Sequence, residues 1–258
     1  RRKKDSTLVR AAEAVRDGRA SAMVSAGNTG ATMGSALLRM GRLRGVSRPA
    51  IATPIPVPGT TPTVMLDAGA NADCKAEWLV QFAQMGAVFA TERYGIDKPR
   101  VGLLSIGEED TKGNALVKEA HALLAAGAAG VDFIGNVEGR DILTDTVDVV
   151  VTDGFTGNVT LKTLEGAMKF MRDAVFGAMV STEEAVKASE VLIPLLLPLA
   201  EEMDPDSHGG ALLLGVDGVC IISHGSSSAK AVVNAVRVAR DMVERQLVQR
   251  LAEAVAPT

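Results

Sequence analysis

The chain has 258 residues, of which 47% are hydrophobic and 22% charged, with a net charge of -4 and only 3% aromatic residues. That is an ordinary globular composition, long enough for one large packed domain or two small ones. It excludes a general electrostatic surface for nucleic acid and rows of base-stacking rings, leaving room only for local basic pockets.

The chain opens with RRKKDSTLVRAAEAV, which has no initiator Met, no apolar core of a signal peptide, and reads as the middle of a helix. A start inside a longer protein is expected. Strand-like and helix-like runs then alternate. Expected strands are 20–24, 50–57, 63–68, 100–106, 131–136, 147–153 and 218–224; helical periodicity covers 6–17, 28–41, 73–90, 112–127, 157–180 and 227–253. Several strands are continuously apolar and β-branched, as in a mostly parallel sheet covered on both faces. The expected fold class is α/β, a doubly wound three-layer α/β/α sandwich, forming a single domain over 1–258. In such folds the loops leaving the strand C-terminal ends open on one crevice, so four glycine-bearing loops are expected to wall one site.

The segment 181–208, STEEAVKASEVLIPLLLPLAEEMDPDSH, breaks the alternation and reads as a helical arm inserted in the sandwich. Its run VLIPLLLPLA is half a membrane span in length and carries two prolines. Leu192, Leu195, Leu196 and Leu197 are the candidates for contact with lipid or an acyl chain, the alternative being a dimer or core contact. Glu201, Glu202 and Asp204 flank the run and argue against attraction to anionic lipid.

The first loop, SAGNTGATMG, places Asn28, Thr29 and Gly30 at a helix N-terminus, where unpaired N–H groups favour an anion; a plain helix cap is the other reading. In SIGEEDTKGNALV, Lys112 stands at a helix start, where the dipole disfavours it, so either an anion or the acids at 108–110 must be its partner. Asn114 follows, to orient it or donate a bond. In VTDGFTGNVT, Asp153 ends a strand as a cap, Gly154 and Gly157 open the backbone, and Asn158 is a candidate amide donor toward an oxyanion. In ISHGSSSAK, His224 and Ser226 can orient a phosphate or move a proton, or bond a neighbouring loop.

The inventory has no GxGxxG, no GxxxxGK[ST], no GxSxG and no HExxH. Cys74 and Cys220 have no ligand spacing and are expected to be reduced core thiols of a cytoplasmic protein; no metal and no cofactor are expected. Amides, hydroxyls, one Lys and one His around glycine loops suit phosphate binding and polarisation of a carbonyl.

The stretches SAGNTGA (25–31), LDAGAN (66–71), GLLSIGEEDTKGN (102–114), FIGNVEGRDI (133–142), DVVVTDGFTGNVTLKTLEG (148–166) and LLGVDGVCIISHGSS (213–227) together resemble the PlsX family of acyl-acyl-carrier-protein:phosphate acyltransferases. The resemblance runs in order over nearly the whole chain. It implies a sandwich similar to phosphate acetyltransferases and isocitrate/isopropylmalate dehydrogenases. It also implies attack of inorganic phosphate on an acyl thioester of acyl carrier protein, a homodimer, and peripheral attachment at the inner face of the cell membrane. On this reading Lys112, Asn158 and His224 carry catalysis. Asn28, Thr29, Gly30, Asn71, Asn114, Asp153, Gly157 and Ser226 hold phosphate or substrate. Arg39, Arg42, Arg44 and Arg48 are a candidate cluster for the acidic carrier protein, or simply solvated arginines. The strand and DAMGGD-type loop that usually open the family do not appear in this sequence. Competing readings are an acyl-CoA:phosphate acyltransferase, a dehydrogenase of similar fold, and a membrane-recruited scaffold without catalysis.

Overall fold

The computed structural model describes residues 5–256; the basic opening at 1–4 lies outside the described residues. Eight strands form one sheet: β1 (Ala22–Ser25), β2 (Ala50–Ile55), β3 (Thr63–Leu66), β4 (Arg100–Leu104), β5 (Asp132–Val137), β6 (Val149–Val151), β7 (Ala211–Leu214) and β8 (Val219–Ile222). Their order is β1-β8-β7-β2-β3-β6-β4-β5. The pairs β1–β8, β3–β6, β4–β6 and β4–β5 are parallel, and the three pairs β8–β7, β7–β2 and β2–β3 are antiparallel. The sheet is therefore mostly parallel, as expected, with an antiparallel middle.

Helices cover both faces, because successive strand side chains point to opposite sides. One face buries Val219 and Ile221 of β8, Leu66 of β3 and Val101 and Leu103 of β4. It lies under α3 (Ala76–Tyr94), α4 (Ala115–Ala125), α7 (Ala229–Glu244) and α8 (Leu247–Ala254). The other face buries Met23, Ile51, Cys220 and Ile222 beneath α1 (Thr7–Arg16) and α2 (Thr29–Arg39). On that same face, Met65, Leu104 and Val150 lie beneath Leu164 of α5 (Gly154–Met179).

Three expectations change. β7 was missing from the expected strands: ALLL has no period of its own and is fenced by Gly209, Gly210 and Gly215, all at positive φ. The single helix expected over 227–253 is two, α7 and α8, because Gln246 takes a left-handed conformation at φ 56°. The helix expected from 157 begins at Gly154, where Asp153 accepts from the Thr156 N–H at 2.8 Å and fixes the cap.

The expected arm over 181–208 is α6 (Glu183–Glu202) followed by a 3-10 turn at Pro205–Ser207. Together with the outer part of α5 it forms a helical hairpin. The 26 residues of α5 make it about 39 Å long, so its far half leaves the sheet behind. From residue 165 to 202 only Ser189 is buried. The hairpin joins β6 to β7, which run the same way, so the chain leaves one end of the sheet and re-enters at the other.

Candidate functional site

The middle of the sheet decides where the site residues fall. Because β2 is antiparallel to β3, β1 and β8 run opposite to β3, β4 and β6. Their C-terminal ends lie at opposite edges, so the four loops do not leave one edge as expected. Asn71, Lys112, Asn114, Asp153, Gly157 and Asn158 belong to one edge. Asn28, Thr29, Gly30, His224 and Ser226 belong to the other. No hydrogen bond joins the two groups among the described residues. They meet instead through packing on one face, where Met33 of α2, Ala70 after β3 and Leu161 of α5 share an apolar cluster.

At the first edge the centre is Asp67, fully buried directly after β3. Its Oδ1 accepts from the N–H groups of Ile51 (3.0 Å), Gly69 (3.1 Å) and Ala70 (2.9 Å). Its Oδ2 accepts from the backbone N–H (2.7 Å) and side-chain Nδ2 (2.9 Å) of Asn71. Burial pushes the Asp67 carboxyl up, and these donors offset part of that rise. The carboxylate thus fixes the turn Ala68–Asn71. The Asn71 carbonyl accepts from the Gly154 N–H at 2.7 Å, which ties this turn to the start of α5. At Gly157 a Cβ would lie 2.0 Å from the Asp67 carbonyl oxygen, so only glycine lets α5 come this close. Asn158, the next residue, is exposed and lies against Gly69.

Asn71 is used by the fold: its amide also donates to the Pro49 carbonyl at 2.8 Å. Asp153 likewise caps α5, accepting from the Thr156 N–H and hydroxyl, both at 2.8 Å. Asn114 caps α4, accepting from Val117 N–H at 2.9 Å. Lys112 is half exposed, with Glu109 as a distant partner at 3.9 Å. Its stem lies across Gly107, where a Cβ would meet its Cγ at 2.9 Å.

At the second edge Asn28 caps α2, accepting from Ala31 N–H at 2.9 Å. Thr29 and Gly30 follow, exposed, in the first turn. Ser25 Oγ meets Thr32 Oγ1 at 2.8 Å beneath them. His224 Nδ1 lies 2.6 Å from Ser226 Oγ, and the Ser226 N–H points at the same nitrogen at 3.3 Å. Both residues are exposed.

Sequence reasoning named Asn71 in LDAGAN and passed over Asp67. A carboxylate leaving an apolar strand into a glycine turn was the signal for it. Both cysteine thiols are pushed up to about 12, chiefly by burial, which leaves them protonated and poor nucleophiles. Among the described residues no cluster of His, Cys, Asp or Glu could hold a metal ion, and no helix is long and apolar enough to cross a membrane. Of the arginine cluster, Arg39 meets Glu13 at 3.7 Å, Arg42 donates to the Ser47 carbonyl and Arg48 stacks 4.8 Å over Trp78. Only Arg44 has no partner among the described residues.

The architecture is that of a phosphotransacylase-type α/β sandwich. The structure matches a phosphotransacetylase from Streptococcus pyogenes with a TM-score of 0.58 at 18% identity, covering 97% of this chain and 68% of that one. It matches a branched-chain phosphotransacylase from Enterococcus faecalis V583 with a TM-score of 0.57 at 14% identity, covering 92% of this chain and 78% of that one. At these identities the likeness is one of fold. The family model described as "Fatty acid synthesis protein" matches residues 1–250, and the chain belongs to that family. It is 51% identical over 257 residues to the phosphate acyltransferase of Elusimicrobium minutum (strain Pei191), covering 99% of this chain and 74% of that protein. It is 47% identical over 259 residues to the phosphate acyltransferase of Bacillus subtilis (strain 168), covering 99% of this chain and 76% of that protein. The resemblance read from the six motifs therefore holds.

Proposed function

We propose that the chain is a phosphate acyltransferase that takes an acyl group from acyl carrier protein to inorganic phosphate. The observation that carries this reading is a donor-rich site with no ionised thiol beside it, half-buried Cys74 and buried Cys220 both being held protonated, together with relatives named phosphate acyltransferase. A nucleophile that arrives as substrate suits such a site. A phosphate oxygen attacks the thioester carbon, the C–S bond breaks, and the carrier thiolate leaves and takes up a proton. The protein's task is to hold the two reactants together and stabilise the tetrahedral oxyanion.

Asn158 stands on the rigid Asp67 platform and donates its amide to the oxyanion. Lys112 supplies positive charge to phosphate or oxyanion. Asn28, Thr29 and the N–H groups at Gly30 take phosphate oxygens at the start of α2, reaching the substrate from the other edge across the face where Met33, Ala70 and Leu161 pack. His224, with Ser226 at 2.6 Å, orients phosphate or protonates the thiolate. No metal or cofactor enters this chemistry.

The protein is proposed to act as a homodimer in the cytoplasm, touching the inner face of the membrane through the hairpin. Leu192, Leu195 and Leu197 are exposed there, and Leu196 is half buried. The acidic flank is engaged elsewhere: Lys230 meets Glu201 at 2.6 Å and Asp204 at 2.9 Å, and Gly59 N–H donates to Glu202 at 2.8 Å. These acids anchor the arm to α7 and the loop after β2, so they weigh less against a lipid surface than their sequence suggests.

The test is phosphate-dependent consumption of palmitoyl-acyl-carrier protein with direct detection of acyl-phosphate. Turnover with palmitoyl-CoA alone would move the assignment to a coenzyme A enzyme. Vesicle binding without thioester cleavage would leave only a scaffold. The Ser226–His224 contact supports one second reading, an acyl-serine intermediate. Omitting phosphate and weighing the protein after exposure to palmitoyl-acyl-carrier protein separates the two, because only that reading adds an acyl mass.

A further inference from the structure

Asn136 is a buried amide that the site inventory does not contain. It lies near the end of β5 and is 5% exposed. Its Nδ2 donates to the Glu109 carbonyl at 2.7 Å. Its Oδ1 has no partner among the described residues, and neither has the Ser105 hydroxyl at the end of the neighbouring strand. An unpaired buried polar atom destabilises the fold, a loss that a leucine of similar size would not incur. The donor half of the side chain must therefore account for an asparagine here.

That donor acts on a single peptide group. The Glu109 carbonyl also accepts from the Lys112 N–H at 3.0 Å, closing the turn that carries Lys112. One buried amide thus holds the carbonyl around which the lysine turn is folded. Arg140, just beyond β5, adds an outer tie to the adjacent Glu108 at 3.2 Å. Residues 108–112 are exposed, with Gly107 buried behind them, so these bonds tie the turn to the region of β5. We propose that Asn136 is the positioning residue for Lys112, setting the height and direction of its turn over the end of β4. This rests on the reading that Lys112 meets phosphate or the oxyanion.

The test compares Lys112→Ala, Asn136→Ala, Asn136→Leu and the Lys112→Ala/Asn136→Leu double variant, in full-length protein. Initial rates are taken against inorganic phosphate at saturating palmitoyl-acyl-carrier protein and against palmitoyl-acyl-carrier protein at saturating phosphate, with melting temperature and circular dichroism alongside. Asn136→Leu should fold and melt close to the parent, yet lose about 10- to 100-fold in kcat/KM for phosphate, the scale of a misplacement of about 1 Å. Its KM for the acyl thioester should stay within about twofold of the parent value. The double variant should be no worse than Lys112→Ala alone, because both changes remove one effect. A folded Asn136→Leu with the parent's phosphate kinetics would overturn the proposal, as would losses that multiply in the double variant. Full activity in Lys112→Ala would remove the site reading and the proposal with it. That failure is read from the lysine variant alone and so is distinct from the other two.

Discussion

Asp67 and Asn28 both hold backbone N–H groups at the start of a loop, but in different ways. Asp67 is sealed from solvent and collects five donors from two separate stretches of chain, Ile51 and Gly69–Asn71. Asn28 is exposed and accepts one, from a residue three places on. The same contrast runs along the two edges. Asn158 is mounted on buried, interlocked backbone, whereas Asn28, Thr29, His224 and Ser226 stand on exposed turns closed by local bonds. A donor that must be in place before charge develops belongs on the first kind of support, since reorganisation there is avoided. An exchangeable substrate that must enter and leave suits the second.

The widest test of this contrast exchanges glycine for alanine at each edge. Gly157→Ala puts a Cβ 2.0 Å from the Asp67 carbonyl oxygen, a backbone atom that cannot rotate away. A loss of at least about 3 kcal/mol in urea unfolding is expected, with activity lost. Gly30→Ala meets nothing closer than the Asn28 side chain at 3.5 Å. It should be neutral or stabilising by up to about 1 kcal/mol. Equal effects at the two glycines would abolish the distinction between the edges.

The next effect is kinetic. Asn158→Ala should cost about 10²–10³ in kcat, the value of one oxyanion donor on a rigid support. His224→Ala, on the exposed edge, should cost less in kcat at saturating phosphate and show mainly in the phosphate KM. A His224 variant as damaging in kcat as the Asn158 variant would place the chemistry on the exposed edge instead.

Two buried aspartates sharpen the comparison through pH. At Asp67 burial dominates and raises the carboxyl above its usual 3.8. Its contribution to stability is therefore full below that value and falls as pH rises through the raised one. At Asp148 burial also pushes upward, but side-chain and backbone bonds from Arg100 outweigh it, and the carboxyl ends below 3.8. Arg100 Nε and Nη2 reach Asp148 at 3.0 and 2.9 Å, and a second carboxylate, Asp145, lies at 2.8 Å. Stability from Asp148 is thus present above 3.8 and is lost as pH falls through the depressed value. Melting temperature against pH should show Asp148→Asn less stable than the parent near neutrality, the gap closing in acid. Asp67→Asn should instead lose about 1–3 kcal/mol by leaving donors unmatched, and the loss should persist in acid. A gap for Asp148→Asn that widened in acid would mean that the Asp148 carboxyl is raised rather than lowered in the fold.

What the sequence made legible follows from the range of each interaction. Caps are local: Asn28 and Asp153 were marked at helix starts, and each accepts a bond from three residues on, whereas Asn114, read only as a partner of Lys112, proves to be the cap of α4. Most strands were legible because β-branched apolar runs have few other uses. The division into two edges was not: the seven residues between β2 and β3 are too few for a parallel crossover and so mark one reversal, but the full division also needs β7, whose place between β2 and β8 is set by pairing far along the chain. Asp67 depends on Ile51, 16 residues away, and Asn136 on Glu109, 27 residues away, so neither role has a local pattern. β7 failed as a short run between glycines. The arm was legible as an excursion but not as the outer half of a hairpin begun in α5.

The smallest effect separates capping from ligand binding at Asn28. Its Oδ1 is spent on the Ala31 N–H, while its amide N–H groups have no protein partner among the described residues. If capping were its whole use, Asn28→Ala should cost about 1 kcal/mol of stability and Asn28→Gly only a few tenths, since glycine caps almost as well. Activity would then follow stability, with the glycine variant close to the parent. If the amide donates to phosphate, the two variants differ in melting temperature but lose kcat/KM for phosphate alike, because both lack the donor. Parallel measurement of melting temperature and phosphate kinetics on the pair decides this. A glycine variant with parent kinetics would leave Asn28 as a cap and move phosphate recognition at this edge to Thr29 and the N–H groups beside it.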